Sequence, residues 1–230
     1  DIFDVIMPNA KAQKVLTNAL VAIHNAHPAM TIVSISGNHD SATRHETHQL
    51  LWESVNVHMI GNIHNDQVER HVLPIYDTNS QLCAYVVAVP YAAQRMIASD
   101  FYRRLNEYAT LQGDTDQVPV IFLGHLAASS CESTGHALDN FGKDAMYIGN
   151  IEAMEVSEIG LGYDYVALGH IHKAQNLNER VRYSGSPIAM SFDEVASDYR
   201  HSISIVEIEA RGAMPNIREV EIATCLPLTR

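Results

Sequence analysis

Histidine and its usual companions recur in this chain where apolar runs end in glycine. Met30-Thr31-Ile32-Val33-Ser34-Ile35-Ser36 runs into Gly37-Asn38-His39-Asp40. The run from Val118 to Leu123 meets Gly124-His125, and the run from Tyr163 to Leu168 meets Gly169-His170-Ile171-His172. Each run reads as a buried strand that delivers polar side chains from its carboxyl end, the end at which open α/β sheets hold ligands. Gly37 permits a tight turn or a positive φ, so Asn38, His39 and Asp40 can crowd into one small volume. An asparagine offers a carbonyl oxygen to a cation, a histidine an imidazole for ligation or proton transfer, and an aspartate an acceptor that orients either. Taken once, the pattern is only a strand entering an Asn/Asp turn. Its recurrence at Asn38, His125 and His170 makes a constellation. His170 and His172 are two residues apart and share a side on an extended stretch. In Asp1-Ile2-Phe3-Asp4 the apolar pair anchors a loop while Asp1 and Asp4 point elsewhere. Carboxylate, amide and imidazole without thiolate suit manganese, iron or zinc rather than calcium. A carboxylate shared between cations about 3.5 to 4 Å apart is the usual centre of a two-metal site.

The elements that must position these groups alternate between helical and strand patterns, which implies an α/β fold. Residues 9–26 predict a helix with Asn9 as N-cap and Val15, Leu16, Ala19, Leu20 and Ile23 on one face. Residues 30–36 follow as a strand, and Thr43 to Val55 as a second helix with Leu50, Leu51 and Val55 inward. Short strands turn at Gly61-Asn62 and at Asp77-Thr78-Asn79, and Ala84 to Val89 is another buried strand. Ser99 is positioned to cap a helix whose Phe101, Leu105 and Tyr108 share a face. Residues 129–150 are rich in Ser, Gly, Asn and Asp and read as an irregular surface excursion. Residues 181–192 suggest a strand and a sharp turn, Ser202 to Ile208 an alternating strand, and Gly212, Pro215 and Pro227 an exit. His45 and His48, three apart, read as a solvated helix face. His24, His27, His58, His64, His71 and His201 have no ligand-spaced partner.

A length of 230 residues with 47% hydrophobic composition suits one sizeable domain with a real core, or one domain plus an appendage. The longest apolar stretch, Leu82 to Ala93, contains Pro90 and is shorter than the roughly 20 residues of a membrane span. The chain opens on Asp1 without a charged, then apolar, leader, so a soluble, cytoplasmic protein is expected. Cys83, Cys131 and Cys225 are odd in number and far apart, which argues against a disulfide framework or a thiolate zinc site. A net charge of −12 disfavours a broad basic face for nucleic acid. It leaves room for a phosphate-ester site in which bound cations supply the positive charge locally.

In their order, Asp-Ile-Phe-Asp, Gly-Asn-His-Asp-Ser, Gly-His and Gly-His-Ile-His resemble the calcineurin-type metallophosphoesterases. Together with Tyr-Asp-Tyr-Val-Ala-Leu, Arg-Tyr-Ser-Gly-Ser-Pro and Ser-Phe-Asp-Glu, they more narrowly resemble the SbcD family of bacterial DNA-repair nuclease subunits, over residues 1 to about 195. The resemblance implies a four-layer α/β/β/α sandwich, a pair of divalent cations (Mn2+ first, with Mg2+, Fe2+ or Zn2+ as alternatives), a homodimer, DNA as substrate and an SbcC-type coiled-coil ATPase partner. By position, Asp1 corresponds to the bridging carboxylate; Asn38, His125 and His170 complete one metal site, and His172 belongs to the other. His39 matches the catalytic histidine that serves the leaving oxygen, and Asp4 the carboxylate that orients it. Tyr183, Ser184 and Gly185 would line the site behind His172. The family's first strand, with its Asp-x-His motif, and the Gly expected before Asp1 would precede this chain, and a capping domain would follow it. Residues 1–200 are thus expected to be an N-terminally truncated nuclease core, and 201–230 its last strand and an exit. Such a fragment is expected to bind one metal and to cleave little. Two other functions fit the same residues: a phosphomonoesterase or small-molecule phosphodiesterase, and a non-catalytic metal-binding or architectural subunit.

Overall fold

The computed structural model describes residues 1–129, 147–148, 151–152, 154–189 and 200–223. Most of the 129–150 excursion, Ser191-Phe192-Asp193-Glu194, Cys131, Cys225 and Pro227 lie outside the described residues. Helix α1 (Ala10–Ala26) begins where Asn9 accepts a hydrogen bond from the Ala12 N–H at 2.9 Å, the capping geometry its sequence predicts. Leu20 is buried and Leu16 partly so, against Trp52, Val55, Val57 and Met59, while Val15 and Ile23 face outward. Strand β1 (Ile32–Ile35) pairs in parallel with β2 (Val57–Ile60), Ile32 opposite Val57.

Between those strands the single helix expected over 43–55 is two short ones, α2 (Ala42–His45) and α3 (Gln49–Glu53). The interruption falls at Glu46, whose carboxylate accepts the Gly61 and Asn62 N–H groups at 2.8 and 2.9 Å and the Asn62 amide at 2.6 Å. Three charge-assisted bonds to a neighbouring loop outweigh the few tenths of a kcal/mol per residue that propensity offers Thr47 and His48. One consequence is that Leu50 and Leu51 point outward, 84% and 68% exposed, contrary to the expected inward face; Trp52 and Val55 pack in their place.

The large sheet is built from β3 (Val72–Tyr76), β4 (Leu82–Val89), β5 (Val120–His125), β8 (Tyr165–Gly169), β9 (Gln175–Asn176) and β10 (Val181–Tyr183), in the order β3-β4-β5-β8-β10-β9. Strands β4, β5, β8 and β10 run parallel, with the antiparallel β3 and β9 at the edges. Helix α4 (Phe101–Asp116) covers it with Phe101, Leu105 and Ala109 fully buried against Val120 and Phe122. Tyr108, expected on that face, is 37% exposed, and Asp100 rather than Ser99 occupies the N-cap. The chain also forms the two-residue pair β6 (Tyr147–Ile148) with β7 (Ile151–Glu152) and a short α5 (Val156–Ile159).

After residue 200 the chain does not simply exit. Strand β11 (Ser202–Glu207) is answered by β12 (Asn216–Glu221) in an antiparallel pair whose turn holds Gly212 at φ +81°. Buried Arg182 of β10 grips this hairpin through Ser204 at 2.9 Å and Glu219 at 2.7 Å. The turn is tied to the sheet by Asp164, whose buried carboxylate accepts the Val120 N–H at 2.8 Å, the Gly212 N–H at 2.6 Å and the Arg211 guanidinium at 2.7 Å. The fold is thus mixed α/β around one large mixed sheet. No helix among the described residues is long and apolar enough to cross a membrane.

Candidate metal centre

Parallel strands deliver their carboxyl ends to the same place, and here three glycine stops meet. The Gly124-His125 end of β5 lies beside the Leu168-Gly169 end of β8, with His125 opposite Gly169 in the register. The end of β1 joins them because the Tyr91 N–H, just beyond β4, donates to the Ser36 carbonyl at 2.9 Å, and Ser36 Oγ is tied to the Gly61 carbonyl. Asn38 Oδ1 then stands 3.0 Å from His125 Nε2 and 3.2 Å from His170 Nδ1. His170 reaches this point from a backbone held at φ +95°, a conformation that costs a non-glycine residue free energy and clusters at functional sites.

Asp1 completes the cluster, with Oδ2 3.6 Å from His125 Nε2 and Oδ1 accepting the His39 N–H at 2.9 Å. Asp40, given no such place by its sequence position, holds the 1–4 loop there. Its carboxylate accepts the N–H groups of Ile2, Phe3 and Gly37, each at 2.9 Å. The only hint of that role in the sequence is the Asp closing Gly-Asn-His-Asp; its partners lie in a loop nearly forty residues away. Gly37 is needed for a steric reason. A Cβ there would fall 2.6 Å from Asp1 Cγ and 2.7 Å from His125 Cε1, inside the space these clustered side chains share.

Burial, followed by the neighbouring imidazoles of His170, His39 and His172, pulls His125 down to about 2. Burial and then His172 pull His170 down to about 4. Both imidazoles are therefore neutral near pH 7 and keep a lone pair for a cation. The 3.6 Å approach of His125 to Asp1 is accordingly no ion pair. The donor set fits a divalent cation: the Asn38 amide oxygen stands 3.0 and 3.2 Å from the two neutral imidazoles, and the Asp1 carboxylate 3.6 Å from that of His125. Ligands bound at about 2.1 Å and at right angles are separated by roughly 3 Å. The Asn38 amide is essential to this reading, since among the described residues no three His, Cys, Asp or Glu side chains are arranged to hold a metal.

His39 lies beside this cluster. Its Nδ1–H donates to the main-chain carbonyl of Asp4 at 3.0 Å, while the Asp4 carboxylate stands at 3.8 Å, so Asp4 touches His39 chiefly through its backbone. His172 is exposed, near enough to depress both His125 and His170, and its carbonyl accepts the Ser186 N–H at 2.9 Å. That bond draws the turn of Ser184 and Gly185, the latter at φ +74°, up to His172. Tyr183 is instead fully buried; its hydroxyl donates to the Leu126 carbonyl and accepts the Ala128 N–H, both at 2.8 Å. His71, unremarkable in the sequence, is fully buried between the Ala88 carbonyl and the His64 N–H, where it secures the β3–β4 hairpin.

Fold and site together define a class: an α/β chain that gathers an imidazole, amide and carboxylate cluster at the carboxyl ends of parallel strands. Comparison with known proteins narrows it further, to a similarity with SbcD proteins that runs along the chain. It is 30% identical over all of its length to the SbcD component of nuclease SbcCD from Rhodobacter capsulatus, covering 60% of that protein. It is 26% identical to the SbcD proteins of Escherichia coli K12, over 99% of the chain and 58% of the relative, and of Bacillus subtilis 168, over 100% and 60%. The motif resemblance to SbcD is thereby shown along the whole chain, which spans about 60% of the length of these relatives. No family model matches the chain.

Proposed function

We propose that this chain is the catalytic portion of a metal-dependent DNA nuclease subunit that hydrolyses phosphodiester bonds at a two-cation site. The observation that carries the reading is the convergence of His125 and His170 on Asn38 Oδ1, at 3.0 and 3.2 Å, in a chain similar throughout to SbcD proteins. Asp1, Asn38, His125 and His170 would hold one cation, and Asp1 with His172 would contribute to a second, manganese being the first choice. When bound, the cations supply positive charge and Lewis acidity to the phosphate and acidify a water toward neutral pH. The acidic chain needs that charge, because like charge would otherwise repel the nucleic acid. His39 gives its proton to the departing sugar oxygen. The Asp4 carbonyl fixes the Nδ1–H, so Nε2 is the nitrogen that can transfer a proton. The Asp40 carboxylate keeps Asp1 and His39 in register by pinning both loops. The same reading extends to the four-layer sandwich, a role in DNA repair, a homodimer and an SbcC-type ATPase partner.

The test is a comparison of the full-length protein with its His39→Asn variant, using manganese, a labelled linear duplex and a chromogenic phosphodiester. Loss of about 10²- to 10⁴-fold in turnover is expected for the variant, with bound manganese unchanged by elemental analysis. Lost metal would make His39 a ligand. Hydrolysis of the small ester with DNA untouched would move the assignment to a small-molecule phosphodiesterase.

A further inference from the structure

One cavity does not hold the histidine cluster but adjoins it, and His125 forms part of the wall of both. It has a volume of about 610 Å³ and lies beyond the carboxyl ends of β4 and β5, between the Pro90–Ser99 segment, the start of α4 and Met154. That size is within the roughly 300 to 1,000 Å³ of small-ligand sites. Val89, Ala92, Ile97 and Leu126 give it apolar walls. Tyr91 stands at the side nearest the cluster, its ring edge-to-face with His125 at 6.2 Å between centroids. Its backbone bond to Ser36 ties it to the residue before Gly37, so the phenol is held in fixed relation to the ligating groups.

Two arginines border the same cavity, and they differ. Arg103 is neutralised by Glu107 at 2.9 Å and Asp100 at 3.7 Å. Arg95 is exposed and, among the described residues, has no ion-pair partner. A cavity of mixed polarity, lined by Tyr91, Tyr102 and Glu158 as well as apolar side chains, with the Arg95 guanidinium free of an ion-pair partner among the described residues and the histidine cluster behind one wall, has the chemistry of a nucleotide site. An aromatic ring stacks a base of any identity, and a guanidinium grips a phosphate.

We propose that this cavity is the subsite for the nucleoside flanking the scissile phosphate, with Tyr91 stacking its base and Arg95 binding the next phosphate along the strand. The proposal rests on the nuclease reading of the metal cluster. It assigns Tyr91 and Arg95 to substrate binding rather than to chemistry. Stacking on Tyr91 makes the site tolerant of sequence, because every base presents a π-face.

The test uses full-length protein with manganese and two substrates, a single-stranded oligonucleotide and methyl p-nitrophenyl phosphate, which carries no nucleoside. Tyr91→Ala should raise the ratio of oligonucleotide KM to methyl-ester KM by about 5- to 150-fold, the span expected for one lost base stack. Tyr91→Phe, which keeps the ring, should restore that ratio to within about twofold. Arg95→Gln should weaken oligonucleotide binding and lower the slope of log K against log salt by about 0.7, the contribution of one phosphate contact on a single strand. Equal losses on both substrates in Tyr91→Ala would make Tyr91 a mere support for His125 and overturn the subsite alone. So would wild-type behaviour of Tyr91→Ala and Arg95→Gln on the oligonucleotide. A wild-type enzyme that consumes the methyl ester and ignores DNA would overturn the nuclease reading itself, and the subsite with it.

Discussion

Replacing Gly37 by alanine tests whether the cluster is the metal site, because it adds one methyl group at the shared centre and removes no ligand. The new Cβ would lie 2.6 Å from Asp1 Cγ and 2.7 Å from His125 Cε1. Ordinary carbon contacts are about 3.5 to 4.0 Å, so an overlap of roughly 0.8 to 1.4 Å must be relieved. His125 cannot retreat: it is buried at the end of β5 with Tyr91 and His170 packed on it. Asp1 is a loop residue with a side chain 24% exposed and is the group that yields, which breaks its bond to the His39 N–H. Gly37 is not among the positive-φ glycines, so the backbone accepts alanine and the fold bears only a local overpacking of about 1 to 3 kcal/mol. In a chain of this length that corresponds to a Tm lower by roughly 2 to 12 °C. Manganese affinity, measured by titration calorimetry, should fall about 10- to 100-fold, as for a lost supporting contact to a metal ligand. Gly212→Ala is the control. Its Cβ meets nothing within 4 Å, yet φ is +81°, so it strains the backbone far from the cluster and should lower Tm without altering manganese affinity. Equal manganese affinities for Gly37→Ala and the parent would refute the assignment of Asp1 and His125 as ligands.

Asp164→Asn should destabilise the chain by about 3 to 5 kcal/mol in urea unfolding, because an amide nitrogen would face N–H groups of Val120, Gly212 or Arg211 where a carboxylate oxygen now accepts. A cost under about 1 kcal/mol would show that the β11–β12 turn does not depend on this tie. For metal-free protein, acid should weaken the fold through His71, whose pKa burial lowers despite the opposing hydrogen bond to Ala88. The unfolded state then binds more protons than the folded state, so this contribution is complete above about pH 6.5 and is lost as pH falls, by at most about 1.4 kcal/mol per pH unit. Urea midpoints at pH 7.5 and 5.5 check it: the drop should be smaller in His71→Gln, and an equal drop in the two proteins would remove His71 as its source.

How much of this was legible in the sequence follows from the range of each interaction. The capped helix α1, the buried strands and their glycine stops are local: a side chain caps its own helix, and a β-branched run is buried whichever sheet receives it. Asn38, His125 and His170 could be singled out because each ends such a run, although they are separated by 87 and 45 residues. Contacts with partners distant in the chain were not legible. Glu46 splits a helix to serve Gly61 and Asn62; Asp40 pins the Asp1 loop; Asp164 ties a turn near Gly212 to β5. Tyr183 lies in a motif that points to a substrate, yet its hydroxyl is taken up by Leu126 and Ala128 inside the core. The strand β12 escaped because Gly212 and Pro215 look like punctuation until β11 is there to pair with it. Residue type and spacing therefore determined which groups could ligate and at which end of the strands they stand, since both follow from backbone periodicity. Only the tertiary structure decided which groups meet, because a hydrogen bond between segments tens of residues apart leaves no periodic trace in either.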